Sequence, residues 1–135
     1  MAGIATIRDE LRLALDAIDG LRVQDVVVDS IAPPVAVIGF PDRIEFDVTM
    51  RRGADRLLIP VRLYVGRASD RAAQDKLDAY LASSGVFSVK AAIEDDPTLN
   101  GACQTLRVTE ASGYGVYDVA GIPYLGVQFV VEVIA

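Results

Sequence analysis

The chain has 135 residues, about half of them apolar and about a quarter charged, which is enough for one folded domain with a sizeable core and argues against disorder. Its formal net charge of −6 disfavours general nucleic-acid binding, which needs lysine and arginine against phosphate. The lone cysteine, Cys103, rules out an intrachain disulfide and fits a reducing compartment, where it reads as a small buried or half-buried strand residue.

The first predicted element is a helix. Ile4, Ile7, Leu11, Ala14, Leu15 and Ile18 repeat on one face, and Gly20 follows as a stop. The opening residues lack the basic stretch and unbroken apolar run of a signal peptide, and no apolar run approaches the roughly 20 residues of a membrane span. The chain is therefore expected to be made in the cytoplasm and to stay soluble.

Residues 23–28 read as a strand because they are rich in β-branched side chains. Ala32, Pro33 and Pro34 break the chain, a short apolar run covers 35–40, and Pro41-Asp42 turns it. In residues 43–50 every second side chain is apolar, the pattern of a half-buried antiparallel strand. A turn at 51–55 leads to Ile59, Val61, Leu63 and Val65, which alternate in the same way, so the two stretches form a long hairpin with arginines at its tip. Pro60 has no N–H for a ladder and places the second strand along an edge.

A second helix starts at Ser69-Asp70, buries Ala73, Leu77, Tyr80 and Leu81, and ends by Gly85. Ser88 caps a short third helix that turns Val89, Ala92 and Ile93 inward and stops at residues 94–97. Residues 105–109 alternate as a strand, and turns at 111–113 and 120–121 flank another strand at 114–119. The last strand places Leu125, Val127, Phe129, Val131 and Val133 on one face. Tyr124, Gln128 and Glu132 take the other face, which Val130 and Ile134 make partly apolar. The order predicts an α+β fold over residues 1–135: a mostly antiparallel sheet with a long hairpin, and two to three helices packed on one face.

Little in the chain points to catalysis. It has no histidine, which removes Ser-His and Cys-His nucleophile systems and most zinc sites. Ser112-Gly113-Tyr114-Gly115 lacks the lysine and following helix of a phosphate loop and reads as a hairpin turn. Glu94, Asp95 and Asp96 are consecutive and lack the spacing of a calcium loop. Without tryptophan, and with few aromatics, a base- or sugar-stacking platform is not expected; Tyr64, Tyr114, Tyr117 and Tyr124 belong at a core rim or an interface. No cofactor or metal is expected, and an enzyme working through carboxylates alone has no singled-out pair.

Charge is unevenly spread. Arg51, Arg52, Arg56, Arg62, Arg67 and Arg71 face only Asp55 and Asp70 within their segment, so the acidic excess lies elsewhere. Separate basic and acidic patches steer head-to-tail association of like subunits. The candidate contact pairs Arg51, Arg52 and Arg56 at the hairpin tip with Glu94, Asp95 and Asp96.

Several stretches carry a family likeness. They are Ile31-Ala32-Pro33-Pro34 with residues 35–39, residues 59–67 running into 70–78, the short-helix segment 88–101 ending in Thr98-Leu99-Asn100-Gly101, and the closing strand 124–133. In these the chain resembles the tail terminator proteins of long-tailed siphophages, in the type found in actinobacterial phages, and the eleven arginines against two lysines match a GC-rich host. The resemblance implies a hexameric ring that caps the major tail tube protein, ends tail polymerisation and offers a docking surface to head–tail connector proteins. DNA passes through its lumen without specific binding, there is no membrane partner, and the ring sits in the virion at the head–tail interface after assembly in the host cytoplasm. Two other readings share the composition: a head–tail connector or neck adaptor, and a small α+β metabolite-binding module with a preformed apolar pocket. Reversing the charge of Arg51 and Arg52 is expected to weaken the ring, read as a loss of assembled mass in light scattering.

Overall fold

A computed structural model describes residues 3–18, 21–24, 34–39, 41–46, 54–67, 71–101, 103–119 and 121–135. The first helix, α1 (Ile4–Asp16), buries Ile7, Leu11 and Leu15, the face its apolar spacing predicts, and Ala17 closes it. The expected stop at Gly20 lies outside the described residues, as do 25–28 of the first predicted strand, Phe40, 47–50, and the Ser69-Asp70 cap.

Among the described residues the sheet has six strands: β1 (Arg22–Gln24), β2 (Val35–Ile38), β3 (Arg43–Glu45), β4 (Arg56–Arg67), β5 (Thr105–Val119) and β6 (Ile122–Ile134). Their lateral order is β1-β2-β4-β6-β5, with β3 also paired to β4. The fold is α+β with a mostly antiparallel sheet; β1 and β2 form a parallel pair within it.

β4 is central, which corrects the expectation that Pro60 marks an edge strand. β2 pairs with its residues 61–64 and β3 with its residues 56–58, both on the side away from β6. The Pro60 carbonyl accepts from Gly39 N–H at 2.8 Å, so its ring nitrogen also points to that side. There the neighbouring edge is interrupted between β2 and β3, and a missing donor at this point leaves no strand acceptor unmet. The proline marks a gap in the neighbouring strand rather than the rim of the sheet.

β5 corrects a second expectation. The turn predicted at Ala111-Ser112-Gly113, and the hairpin reading of residues 112–115, give way to one continuous strand. Pairing with β6 slips between Ser112 and Gly115, where Gly113 takes a φ of +68° and absorbs the one extra residue as a bulge. The Tyr117 hydroxyl donates to the Gly113 carbonyl at 2.6 Å and closes the bulge. The tight turn of this region is the one at Gly121, between β5 and β6.

Among the described residues, three helices cover one face. Besides α1 they are α2 (Arg71–Leu81), which buries Ala73, Leu77 and Tyr80, and α3 (Val89–Glu94), which buries Val89 and Ile93. Ser88, 1% exposed, caps α3 as predicted: its Oγ accepts from Ala91 N–H at 3.1 Å and donates to the Ala82 carbonyl. Under the helices lie Leu57, Ile59, Val61 and Leu63 of β4 with Val127, Phe129, Val131 and Val133 of β6. Cys103 is buried at the rim of this core, and burial pushes its thiol pKa up, helped by the Asp96 charge.

The other face carries a small second core. Val35 and Val37 pack with Tyr64 and Tyr124, and Tyr117, Val119 and Ile122 close around them. The Tyr64 and Tyr117 rings meet edge to face, centroids 5.9 Å apart. Gly126 lies between them: a Cβ there would sit 2.5 Å from the Leu63 carbonyl oxygen and 3.2 Å from both tyrosine rings. Gly126→Ala is therefore expected to destabilise the fold by about 1–3 kcal/mol, through overpacking against backbone that cannot yield. A shifted urea midpoint with an unchanged slope checks this.

Candidate assembly surfaces

Three features stand out on the surface: an ion-pair ladder, the β3–β4 hairpin, and a groove between α1 and α3.

The ladder lies on the sheet face away from the helices. Because Leu57 and Ile59 point toward the helices, Arg56 and Leu58 point to the open face, together with their partners across β3 and β6. Glu45 bridges Arg43 (3.1 Å) and Arg56 (2.9 Å), and Glu132 lies between Arg56 (3.9 Å) and Arg107 (3.8 Å). Charge alternates along Arg43, Glu45, Arg56, Glu132 and Arg107 across four strands. Each pair is partly exposed and worth little alone, but a connected set fixes the order of strand ends. Arg56, a candidate for an intersubunit contact, is thus engaged within its own sheet. Glu45, Arg107 and Glu132 were each legible as polar-face residues of alternating strands; their cross-strand partners were not, because those are remote in sequence.

The candidate acids also have work inside the chain. Glu94 Oε2 accepts from Val108 N–H at 2.8 Å, and its other oxygen pairs with Lys90. Val108 belongs to β5, the end strand of the sheet, so the carboxylate occupies an edge donor that would otherwise be open to another strand. Asp96 Oδ2 accepts from Asn100 N–H at 2.7 Å, and Oδ1 accepts from the Thr98 hydroxyl at 3.1 Å and its N–H at 3.3 Å. These bonds hold a turn in which Leu99 and Asn100 take positive φ, 48° and 56°, while the Leu99 side chain is buried. Asp95 closes α3 with an exposed side chain. The three acids therefore point to different tasks rather than converging. Among the described residues no three His, Cys, Asp or Glu side chains are grouped to hold a metal ion. Arg51 and Arg52, the other half of the candidate contact, lie outside the described residues.

The hairpin departs from its sequence pattern. Alternation in residues 43–50 predicts a half-buried strand, and the antiparallel pairing is present, yet Ile44 is 36% and Phe46 72% exposed. Ile44 pairs with Leu57 and so lies on the helix side of the sheet. The helices, however, pack on β1, β2, β4, β5 and β6. The apolar edge of the hairpin runs past them into solvent. A second exposed apolar pair, Tyr114 and Val116, sits at the far end of β5.

The groove lies on the outer side of the helical layer. Two adjoining hollows, of about 270 and 340 Å³, share Ala17, Ala92 and Asp95. Ala14 and the exposed Leu13 also line the first, and Ala91 and the exposed Val86 the second. Glu10, Asp95 and Asp96 supply the charge.

No protein-family model and no curated protein sequence matches the chain. Among the described residues no helix is long and apolar enough to cross a membrane.

The acids supply a pH test. Burial would raise the Glu94 pKa, but the Lys90 and Val108 hydrogen bonds, with the Lys90 and Arg107 charges, hold it below its ordinary value. The Asn100 N–H and then the Thr98 hydroxyl do the same for Asp96. Carboxyls depressed in the folded chain stabilise it fully above their unfolded values of about 4, and that contribution is lost as pH falls through the lower folded values. Stability is therefore expected to fall below about pH 4, and Glu94→Gln is expected to flatten that fall. Urea midpoints measured from pH 6 to pH 3 check both.

Proposed function

We propose that the chain is a ring-forming structural subunit of the tail-terminator kind, which caps a phage tail tube, ends its growth and receives the head connector. The observation that carries the reading is the bare apolar edge of the hairpin. Ile44 lies on the paired strand β3 and Phe46 directly follows it, their alternation calls for a cover, and the helices pack elsewhere. A second subunit is the natural cover for a repeated assembly part.

The form of the surfaces supports a ring in particular. The hairpin presents Ile44 and Phe46, and the α1–α3 hollows present alanines beside Glu10, Asp95 and Asp96; the two surfaces are unlike. Unlike surfaces make a heterologous contact, and such a contact closes into a ring when its rotation fits. The stretches that carry the family resemblance support the same reading: 59–67 forms most of β4, 88–101 forms α3 with its buried-leucine turn, and 124–133 forms most of β6. On this reading the protein works by surface completion and not by catalysis. One ring face matches the tube, the other matches the connector, and DNA passes through a lumen that does not hold it. The protein then resides in the virion at the head–tail joint.

Light scattering over a concentration series, with negative-stain images of the same sample, tests the reading. The expected outcome is a six-subunit mass with an open centre, formed alone or on addition of assembled tail tubes. A compact dimer without a hole, or a monomer that tubes do not recruit, overturns it.

A further inference from the structure

Asn100 is the only asparagine in the chain, and Gly101 follows it. In such a pair the glycine amide nitrogen can attack the asparagine side-chain carbonyl, because glycine has no Cβ to crowd the approach. Both residues are exposed, and a Cβ on Gly101 would meet nothing within 4 Å. The pair sits in the turn behind α3, with Asn100 at φ 56° and Gly101 at φ 88°. Hydrogen bonds hold the reacting groups there. The Gly101 N–H, which carries the attacking nitrogen, donates to the Thr98 carbonyl at 3.0 Å. The Asn100 N–H donates to Asp96 Oδ2 at 2.7 Å, and Asp96 Oδ1 holds Thr98 through its N–H and its hydroxyl. Leu99, between them, is buried in the main core. Attack requires that the Gly101 amide give up its proton and that the Asn100 backbone turn, so an amide engaged in this way is withheld until the turn opens.

We propose that Asn100 is a site of spontaneous deamidation and that the turn held by Asp96 sets its rate. When the turn opens, hydroxide takes the Gly101 amide proton and the nitrogen bonds to Asn100 Cγ. The Cγ–Nδ2 bond breaks, and ammonia leaves on a proton from water. Water then opens the five-membered imide at either carbonyl, giving an aspartate or an isoaspartate at position 100, with no oxidation or reduction at any step. Both products add a carboxylate next to Asp96, whose own carboxylate already bonds the Asn100 N–H, and like charges so close oppose each other. The isoaspartate also adds one main-chain carbon to the turn that seats Leu99, which lines the hollow between α1 and α3. Modification therefore loosens the turn that had delayed it. This chemistry is independent of whether the chain assembles into rings.

Conversion of the full chain at pH 8 is followed by mass spectrometry of the tryptic peptide 91–107, which gains one mass unit, and isoaspartate methyltransferase labelling identifies the linkage. The folded wild type is expected to convert slowest and the urea-unfolded chain fastest. Asp96→Ala, with a cooperative melt retained, is expected to convert about ten-fold faster than the folded wild type, since it loses the charged acceptor that holds the turn. Thr98→Ala keeps the Asp96–Asn100 bond and is expected to fall between the two; it also serves in place of Asp96→Ala if that chain does not fold. A folded wild type that converts as fast as the unfolded chain, or folded variants that convert no faster than wild type, overturns the control by the turn. An unfolded chain that keeps its asparagine overturns the site itself.

Discussion

β4 and β6 pair along nearly their whole length, from Arg56 opposite Ile134 to Arg67 opposite Tyr124, and the other elements take their places from that register. With a side-chain period of two, this pairing sends one set of residues under the helices and the other to the open face. A slip of one residue would bring Arg62, Gln128 and Glu132 under α2 and carry the valines out to water. The helices need this alternation, since α2 packs on β4 and β6 and α3 on β5. Even the last residue is tied in: Ala135 and Asp55 exchange backbone hydrogen bonds at 2.8 and 2.9 Å.

Against this register, the far edge of β4 is deliberately incomplete. β2 and β3 lie in line, separated where Pro60 presents no donor. β2 falls beneath α1 and joins the core, whereas β3 continues past the helical layer. The same break that accommodates a proline inside a central strand thereby delivers Ile44 and Phe46 to the surface. One local feature of the backbone governs both the packing of β4 and the exposure of this apolar edge.

Charge in this protein is spent first on the fold. Arg56 completes a ladder with Glu45 and Glu132, Glu94 closes an edge donor of β5, and Asp96 holds a turn with two non-glycine residues in left-handed backbone. Occupying an edge donor of β5 with a carboxylate also leaves that stretch less open to pairing with another strand.

The sequence by itself determined what depends on near neighbours. The buried faces of α1 and α2, the Ser88 cap on α3, the alternation of the closing strand and the α+β class were all legible, because helix and strand periods act within a few residues. Tertiary structure decided what depends on meetings between distant segments. Ser112-Gly113-Tyr114-Gly115 looks like a turn locally, yet pairing with β6 on both sides keeps it within one strand as a bulge. Alternation in residues 43–46 promised burial, but burial requires an opposing layer, and no local pattern records where the helices end. The partners of Glu94 and Arg56 were equally hidden, since Val108 and Glu132 come beside them only when β5 and β6 close the sheet.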